Sequence, residues 1–232
     1  MSAPGKQRGV LYVVWNRGKS GKHDAALERS IRSLHALHPE LGIHIHDLPA
    51  TATLLDKAGM YQWSPFEETL YLDIDTVVMD RLDYGFERAA KHHVALAIAP
   101  APYARRYFRM ISGDVIEYNT GVIFWKKSPE SGRLFGEWER LARTEDSAHQ
   151  VWVDAFQVAT LPSNDQASFA KAVDSLNFVP FVLPPNWNFR PAFARMFCGP
   201  IKVWHDYADI PAGVKAASDQ MRSTHIMQFV GA

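Results

Sequence analysis

The sequence predicts an α/β fold in one domain, with a mostly parallel central sheet flanked by helices. Three observations carry this expectation. Several apolar runs, Val10–Trp15 and Val94–Ile98 among them, lack the polar alternation of a half-exposed strand and suit strands covered on both faces. Stretches with apolar residues at helical spacing separate these runs. The length of 232 residues and the 47% hydrophobic content suffice for one large core and exclude a disordered chain.

Val10–Trp15 is the first strand, and the polar segment 16–22 is a loop. From His23, apolar residues at Ala26, Leu27, Ile31, Leu34 and Leu37 mark a helix, with Pro39 just beyond its end. Ile43–Leu48 is the second strand, and this strand–helix–strand opening favours a parallel pair with a right-handed crossover. A weaker helix covers Thr53–Gln62. After Ser64-Pro65 comes a third strand, Thr69–Leu72, which runs into Asp73-Ile74-Asp75 and continues as Thr76–Val78. Val94–Ile98 is followed by a Pro/Tyr/Arg-rich loop, Pro100–Arg109, and Asn119-Thr120-Gly121 directly precedes a strand ending at Trp125. Helical spacing returns at Leu134, Trp138 and Leu141, and again at Phe169, Ala170, Val173 and Leu176. Phe178–Leu183 reads as a strand, Pro184–Arg190 as a rigid loop, Ile201–Trp204 as a short strand ending at His205, and Val214–Met227 as a helix.

With 25 Lys+Arg against 25 Asp+Glu, the formal net charge is zero. That balance argues against nucleic acid and anionic membranes as partners, since both are captured by basic excess. The apolar run Val10–Trp15 is far too short for a transmembrane segment, and residues 1–9 lack the layout of a signal peptide. One cysteine, Cys198, excludes an internal disulfide framework and is expected as a buried thiol. With no Asn-x-Ser/Thr acceptor either, the expectation is a cytoplasmic protein.

Asp73 and Asp75 are the first candidates for chemistry. In extended backbone a spacing of two points both carboxylates the same way, and α/β sheets place ligands beyond the carboxyl ends of their strands. Converging carboxylates suit a hard divalent cation, Mg²⁺ or Mn²⁺, although an Asp-x-Asp pair can also cap a turn.

Five blocks in order, Ser64–Thr76, Tyr118–Val122, Asn164–Gln166, Leu183–Arg190 and Val203–His205, resemble the metal-dependent nucleotide-sugar glycosyltransferases of the GT-A fold, in particular the retaining family 8-like enzymes. The resemblance implies a single Rossmann-like GT-A domain over residues 1–232, with a nucleotide- and metal-binding half (9–125) and a donor-sugar and acceptor half (126–232). It implies Asp73, Asp75 and His205 as metal ligands; an imidazole beside two carboxylates tilts the choice toward Mn²⁺ over Mg²⁺. Asn119, Gly121, Asp165 and Gln166 match positions that hold the donor sugar, and Asp165 and Gln166 are the catalytic candidates facing positive charge on the sugar ring. Val14, Trp15, Asn16, Lys57 and Ile74 are the nucleotide-binding candidates, Lys57 at the diphosphate.

The implied reaction moves a hexose from a nucleotide-diphosphate sugar, UDP-linked, to a saccharide, lipid-linked or protein acceptor, with retention. The chain departs from the family twice. Asp206 to Pro211 stand where the family carries Gly and a Lys-Pro-Trp stretch closing on the diphosphate, and Trp15-Asn-Arg-Gly18 replaces the usual Asp and Tyr, weakening the case for uracil. Two alternatives share the same residues. The run around Asp73 and Asp75 also resembles the first motif of haloacid-dehalogenase-like, Mg²⁺-dependent phosphohydrolases, although Thr76 replaces its Gly; a non-catalytic nucleotide-sugar-binding module would explain the absent clamp. Arg105–Arg109 mixes basic and aromatic residues and reads first as a solvated loop, with acceptor contacts as the alternative.

Overall fold

The computed structural model describes residues 7–15, 17–18, 21–99, 115–145, 149–152, 158–161, 164–192, 196–224 and 227–229. Asn16 and the Arg105–Arg109 loop lie outside the described residues. The chain opens with strand β1 (Arg8–Trp15), helix α1 (Gly21–Leu37) and strand β2 (Gly42–Leu48), and β1 and β2 pair in parallel from Gly9↔Gly42 to Trp15↔Leu48. A 3₁₀ turn (Leu54–Gly59) runs into the short helix α2 (Met60–Trp63), then β3 (Glu68–Leu72), β4 (Thr76–Val78), α3 (Asp83–His92) and β5 (Val94–Ile98). Next come β6 (Tyr118–Lys126), α4 (Pro129–Thr144), β7 (His149–Trp152), β8 (Val158–Leu161), α5 (Asp165–Ser175) and β9 (Phe181–Leu183). A 3₁₀ turn (Pro185–Asn188), β10 (Met196–Cys198), β11 (Val203–His205), α6 (Ala212–Thr224) and β12 (Met227–Phe229) complete the described elements.

Six strands form the central sheet in the order β2-β1-β3-β6-β5-β9. Only β6 runs against the rest, antiparallel to β3 on one side and to β5 on the other. The expected mostly parallel sheet is thus present, with one reversed strand near its middle. The unbroken apolar runs have their cause here. Along β1, Val10, Tyr12 and Val14 face a core packed by α1 and α3, including Leu27, Leu34 and Phe86. Leu11 and Val13 face the other core, where α4 and α5 bring Leu134, Trp138 and Phe169. Neither face meets water, so neither selects polar side chains.

The helices begin where their sequences supply caps. Ser128 accepts from the Ser131 amide, with Pro129 at the first helical position of α4. The Asn164 side chain accepts from the Gln166 amide at 2.7 Å and starts α5, which fixes where Asp165 and Gln166 stand.

The structure corrects several sequence expectations; the last helix, for one, ends at Thr224, and Met227 begins β12. Thr76–Val78 does not extend β3: the chain turns at 73–75 and β4 leaves the central sheet to pair antiparallel with β11. The Phe178–Leu183 strand is confined to Phe181–Leu183, and a type of pairing with no sequence signal joins β10 to β12. Cys198 is exposed on β10, not buried, because in a three-residue strand alternation leaves Phe197 as the residue that packs inward, on Phe189 and Trp204.

Candidate metal and donor site

The site is assembled at the carboxyl end of β3. Asp73 directly follows that strand, and its amide donates to the Gly121 carbonyl of β6 at 2.8 Å. The Thr76 amide and hydroxyl return to the Asp73 carbonyl at 3.2 and 2.7 Å, closing a turn around Ile74. The two carboxylates therefore converge through a turn, not through the extended alternation that the spacing suggested. A buried hydroxyl relay supports the turn from below: Tyr12 contacts Ser30 at 3.0 Å, and Ser30 contacts Thr76 at 2.9 Å. Burial pushes the Tyr12 phenol far up, so it stays a neutral hydroxyl.

His205 reaches the same point from the far end of the chain. The pairing of β11 with β4 sets His205 opposite Thr76, and the Asp206 amide donates to the Asp75 carbonyl at 3.0 Å. Its Nε2 lies 3.5 Å from Asp73 Oδ2 and 3.3 Å from Asp75 Oδ1. Its Nδ1 meets Asn188 Oδ1 at 2.7 Å. An amide oxygen only accepts, so Nδ1 carries the proton and donates. That leaves Nε2 to hold either a second proton or a cation, facing two carboxylates. Burial works to raise the pKa of Asp75, but the hydrogen bond and charge of His205, a backbone amide and the charge of Arg190 outweigh it and hold the carboxyl below its ordinary range.

The ligand atoms of Asp73, Asp75 and His205 lie within 4.8 Å of one another. Two hard oxygens and one imidazole nitrogen, the latter oriented by a hydrogen bond to its other nitrogen, fit a Mn²⁺- or Mg²⁺-type ion. Gly121 makes the convergence possible. A Cβ at this position would stand 2.6 Å from Asp73 Oδ2 and 2.9 Å from His205 Nδ1, and closer still to His205 Cε1. The cluster His38, Glu40 and Asp83 also has ligand-like geometry, but His38 spends Nδ1 on Glu40 and Nε2 on the Leu82 amide. It is a tie between α1 and α3.

Behind these three side chains is a buried ion network. Lys57, only 2% exposed, places Nζ 3.3 Å from Asp73 Oδ1 and 2.9 Å from Asp165 Oδ2. Burial alone would lower the Lys57 pKa, yet the charges of Asp165 and Asp73 raise it above its ordinary value. The Thr120 hydroxyl donates to the same Asp165 oxygen, and Tyr71 donates to Asp73 Oδ1 at 2.6 Å. Lys57 is therefore not the solvated helix lysine its surroundings in the sequence allow. Asn119, also buried, accepts the Gly121 amide at 3.0 Å through Oδ1, which sets the backbone beside Asp73.

The sequence-expected residues divide accordingly. Asp73, Asp75, His205, Gly121, Lys57 and Asp165 belong to one connected cluster, with Asn119 at its edge. Gln166 is half-buried in the first turn of α5. Val14 and Trp15 stand at the carboxyl end of β1; the Val14 side chain is sealed in the core, which leaves only its backbone for a ligand. Ile74 packs its side chain against the same core. Sequence reasoning missed Asn188, Tyr71 and Thr120 as supports, although all three fall inside the blocks that carry the resemblance. It also missed Tyr207, where burial and the nearby carboxylates of Asp75 and Asp73 push the phenol up to about 12.

No protein-family model and no curated protein matches this chain. Solved structures do. Mouse xyloside xylosyltransferase 1 in its apo form is similar at a TM-score of 0.56 and 14% identity, over 88% of this chain and 99% of that one. The galactosyltransferase LgtC, in complex with donor and acceptor sugar analogues, is similar at a TM-score of 0.54 and 12% identity, over 92% and 93% of the two chains. The glycosyltransferase GlyE of Streptococcus pneumoniae gives 0.54 and 13%, and this chain spans 55% of its length. The chain thus has the mixed α/β fold of these glycosyltransferases, the GT-A fold.

Proposed function

We propose that this protein is a glycosyltransferase that moves a hexose from a nucleotide-diphosphate sugar, UDP-linked, to a saccharide, lipid-linked or protein acceptor, with retention at the anomeric carbon. The observation that carries the reading is the meeting of Asp73, Asp75 and His205, with Asn188 orienting the imidazole and Gly121 leaving the space. The shared fold with a xylosyltransferase and a galactosyltransferase supports it.

Asp73, Asp75 and His205 would hold Mn²⁺, or Mg²⁺, which when bound supplies a Lewis acid for the charge growing on the departing diphosphate. Asn119 and Gly121 hold the backbone of β6 against this site and offer polar groups to the donor sugar. Lys57 and Thr120 fix the Asp165 carboxylate, keeping a negative charge near the sugar without letting it swing into solvent. Gln166, next along α5, presents an amide oxygen to the positive character of the reacting carbon. Val14 through its backbone, Trp15 and Ile74 stand toward the nucleoside end, and residues 1–232 act as one domain.

Thermal unfolding measured against a panel of nucleotide sugars, with and without Mn²⁺, tests the reading. Stabilisation by at least one donor that requires the metal is expected, by about 2.7 kcal/mol at a hundredfold excess over Kd. No metal-dependent stabilisation by any donor refutes it. Donor binding without transfer or hydrolysis on a broad acceptor panel would instead identify a binding module.

A further inference from the structure

We propose that Lys22, carried on the ring of Tyr207, is the cation that grips the donor diphosphate in this chain; the inference rests on the nucleotide-sugar reading above. Two carboxylates and one divalent ion leave the negative charge of a bound diphosphate unbalanced, and Arg190, whose charge already acts on Asp75, offsets only part of it, which leaves room for a second cation. Lys57, the basic residue that the sequence offered for this role, is committed between Asp73 and Asp165 and sealed from solvent.

The segment after His205 cannot supply the cation either. It contributes Asp206 and Asp209, and it is held down: Arg29 Nη2 donates to the Asp206 carbonyl at 2.6 Å, and Nη1 to the carbonyls of Tyr207 and Ala208 at 3.0 and 3.2 Å. Trp204 Nε1 donates to the Ala208 carbonyl at 3.2 Å and the Ala208 amide to Asp206 Oδ1 at 2.8 Å. The short segment is a fixed bracket, and what it projects outward is the Tyr207 ring, 38% exposed and two residues beyond His205.

That ring collects the first side chains of α1. Lys22 Nζ stands over it at 4.1 Å, and the His23 ring stacks on it at 6.1 Å. A cation held on an aromatic face loses little of its charge to a counter-ion. Among the described residues Lys22 has no carboxylate partner, so its charge remains available. Lys22 and Tyr207 also border an open recess of about 350 Å³, shared with Arg29 and Asp209, so the ammonium is reachable from solvent. The clamp therefore comes from the beginning of the chain, presented by an aromatic residue near its end.

Calorimetry with saturating Mn²⁺ tests this, using UDP, GDP, ADP and inorganic pyrophosphate as probes. Lys22→Met is expected to weaken the diphosphates that bind wild type by about tenfold, and Lys22→Arg to restore most of the loss. Tyr207→Leu should weaken them roughly threefold through loss of the cation–π seat. Mn²⁺ affinity without nucleotide, measured by electron paramagnetic resonance, should be unchanged in all three variants. If Lys22→Met keeps wild-type diphosphate affinity while Asp75→Ala loses it, the clamp is wrong and the nucleotide-sugar reading stands. A wild-type protein that binds none of the four probes with Mn²⁺ overturns both.

Discussion

Gly121→Ala probes the site through a single methyl group. The backbone of Gly121 is clamped: its carbonyl receives the Asp73 amide at 2.8 Å, its amide is bound by Asn119 at 3.0 Å, and β6 lies between β3 and β5. The strand cannot retreat, so the side chains must. Ordinary contact begins near 3.4 Å, and the new Cβ would lie 2.6 Å from Asp73 Oδ2. The carboxylate must move by about 0.8 Å, and the imidazole by more, which pulls Nδ1 out of its 2.7 Å hydrogen bond with Asn188. Overpacking of this kind costs about 1–3 kcal/mol, or roughly 2–12 °C in Tm for a chain of this size. Loss of the oriented imidazole should lower Mn²⁺ affinity by about 10- to 100-fold. Paramagnetic resonance titration with Mn²⁺ and thermal unfolding measure the two effects on one sample. Gly136→Ala, on an exposed position of α4 with nothing near its would-be Cβ, is the control and should stabilise by about 0.5–1 kcal/mol. A folded Gly121→Ala protein with wild-type Mn²⁺ affinity would show that these three side chains do not hold a metal.

The supporting residues give further expectations. Asn188→Ala removes the acceptor that fixes the His205 tautomer and should weaken Mn²⁺ about 10-fold or more with little change in fold, read by the same titration. Lys57→Met leaves Asp165 buried and unpaired and should cost about 3–5 kcal/mol in urea unfolding; adding Asp165→Leu to it should recover much of that loss. Asp80, next to β4, is raised by burial but held lower overall by the Lys202 hydrogen bond at 2.6 Å and by the Arg81 amide. A depressed folded pKa means a contribution present above the unfolded value, about 3.9, and lost as pH falls through the folded one. Urea midpoints of Asp80→Asn should therefore fall short of wild type at pH 6 and converge with it as the pH falls through the folded, depressed value.

What could be read from the residues alone follows their physical causes. β1, β5 and most of β6 were legible because two cores, one on each face, select apolar side chains without interruption. Asp73, Asp75 and His205 were legible because charged and titratable types interrupt or end such runs. The turn at 73–75 was not, because Thr76–Val78 has the same β-branched composition as a continuing strand and only its pairing with β11 reveals the break. Nor was the burial of Lys57, since its helical surroundings, Leu54 to Gly59, include an exposed Leu and an Asp that read as a solvated turn. Its carboxylate partners lie 16 and 108 positions away, beyond any local signal. Asn188 sits in a quoted block, yet nothing in one sequence distinguishes an amide that orients a ligand from one that caps a turn.

The pairing of β4 with β11 has a consequence for the order in which the molecule becomes competent. Asp73 and His205 are 132 positions apart, and they meet only when residues 203–205 close antiparallel onto 76–78. During synthesis, α1, the β1–β3 sheet and the paired aspartates can form long before the imidazole has left the ribosome. Closing so long a loop is slow relative to local folding. The meeting of these side chains is thus a late event, and an ion held there would act as a latch on a late step of folding, favouring chains in which β11 has already docked on β4.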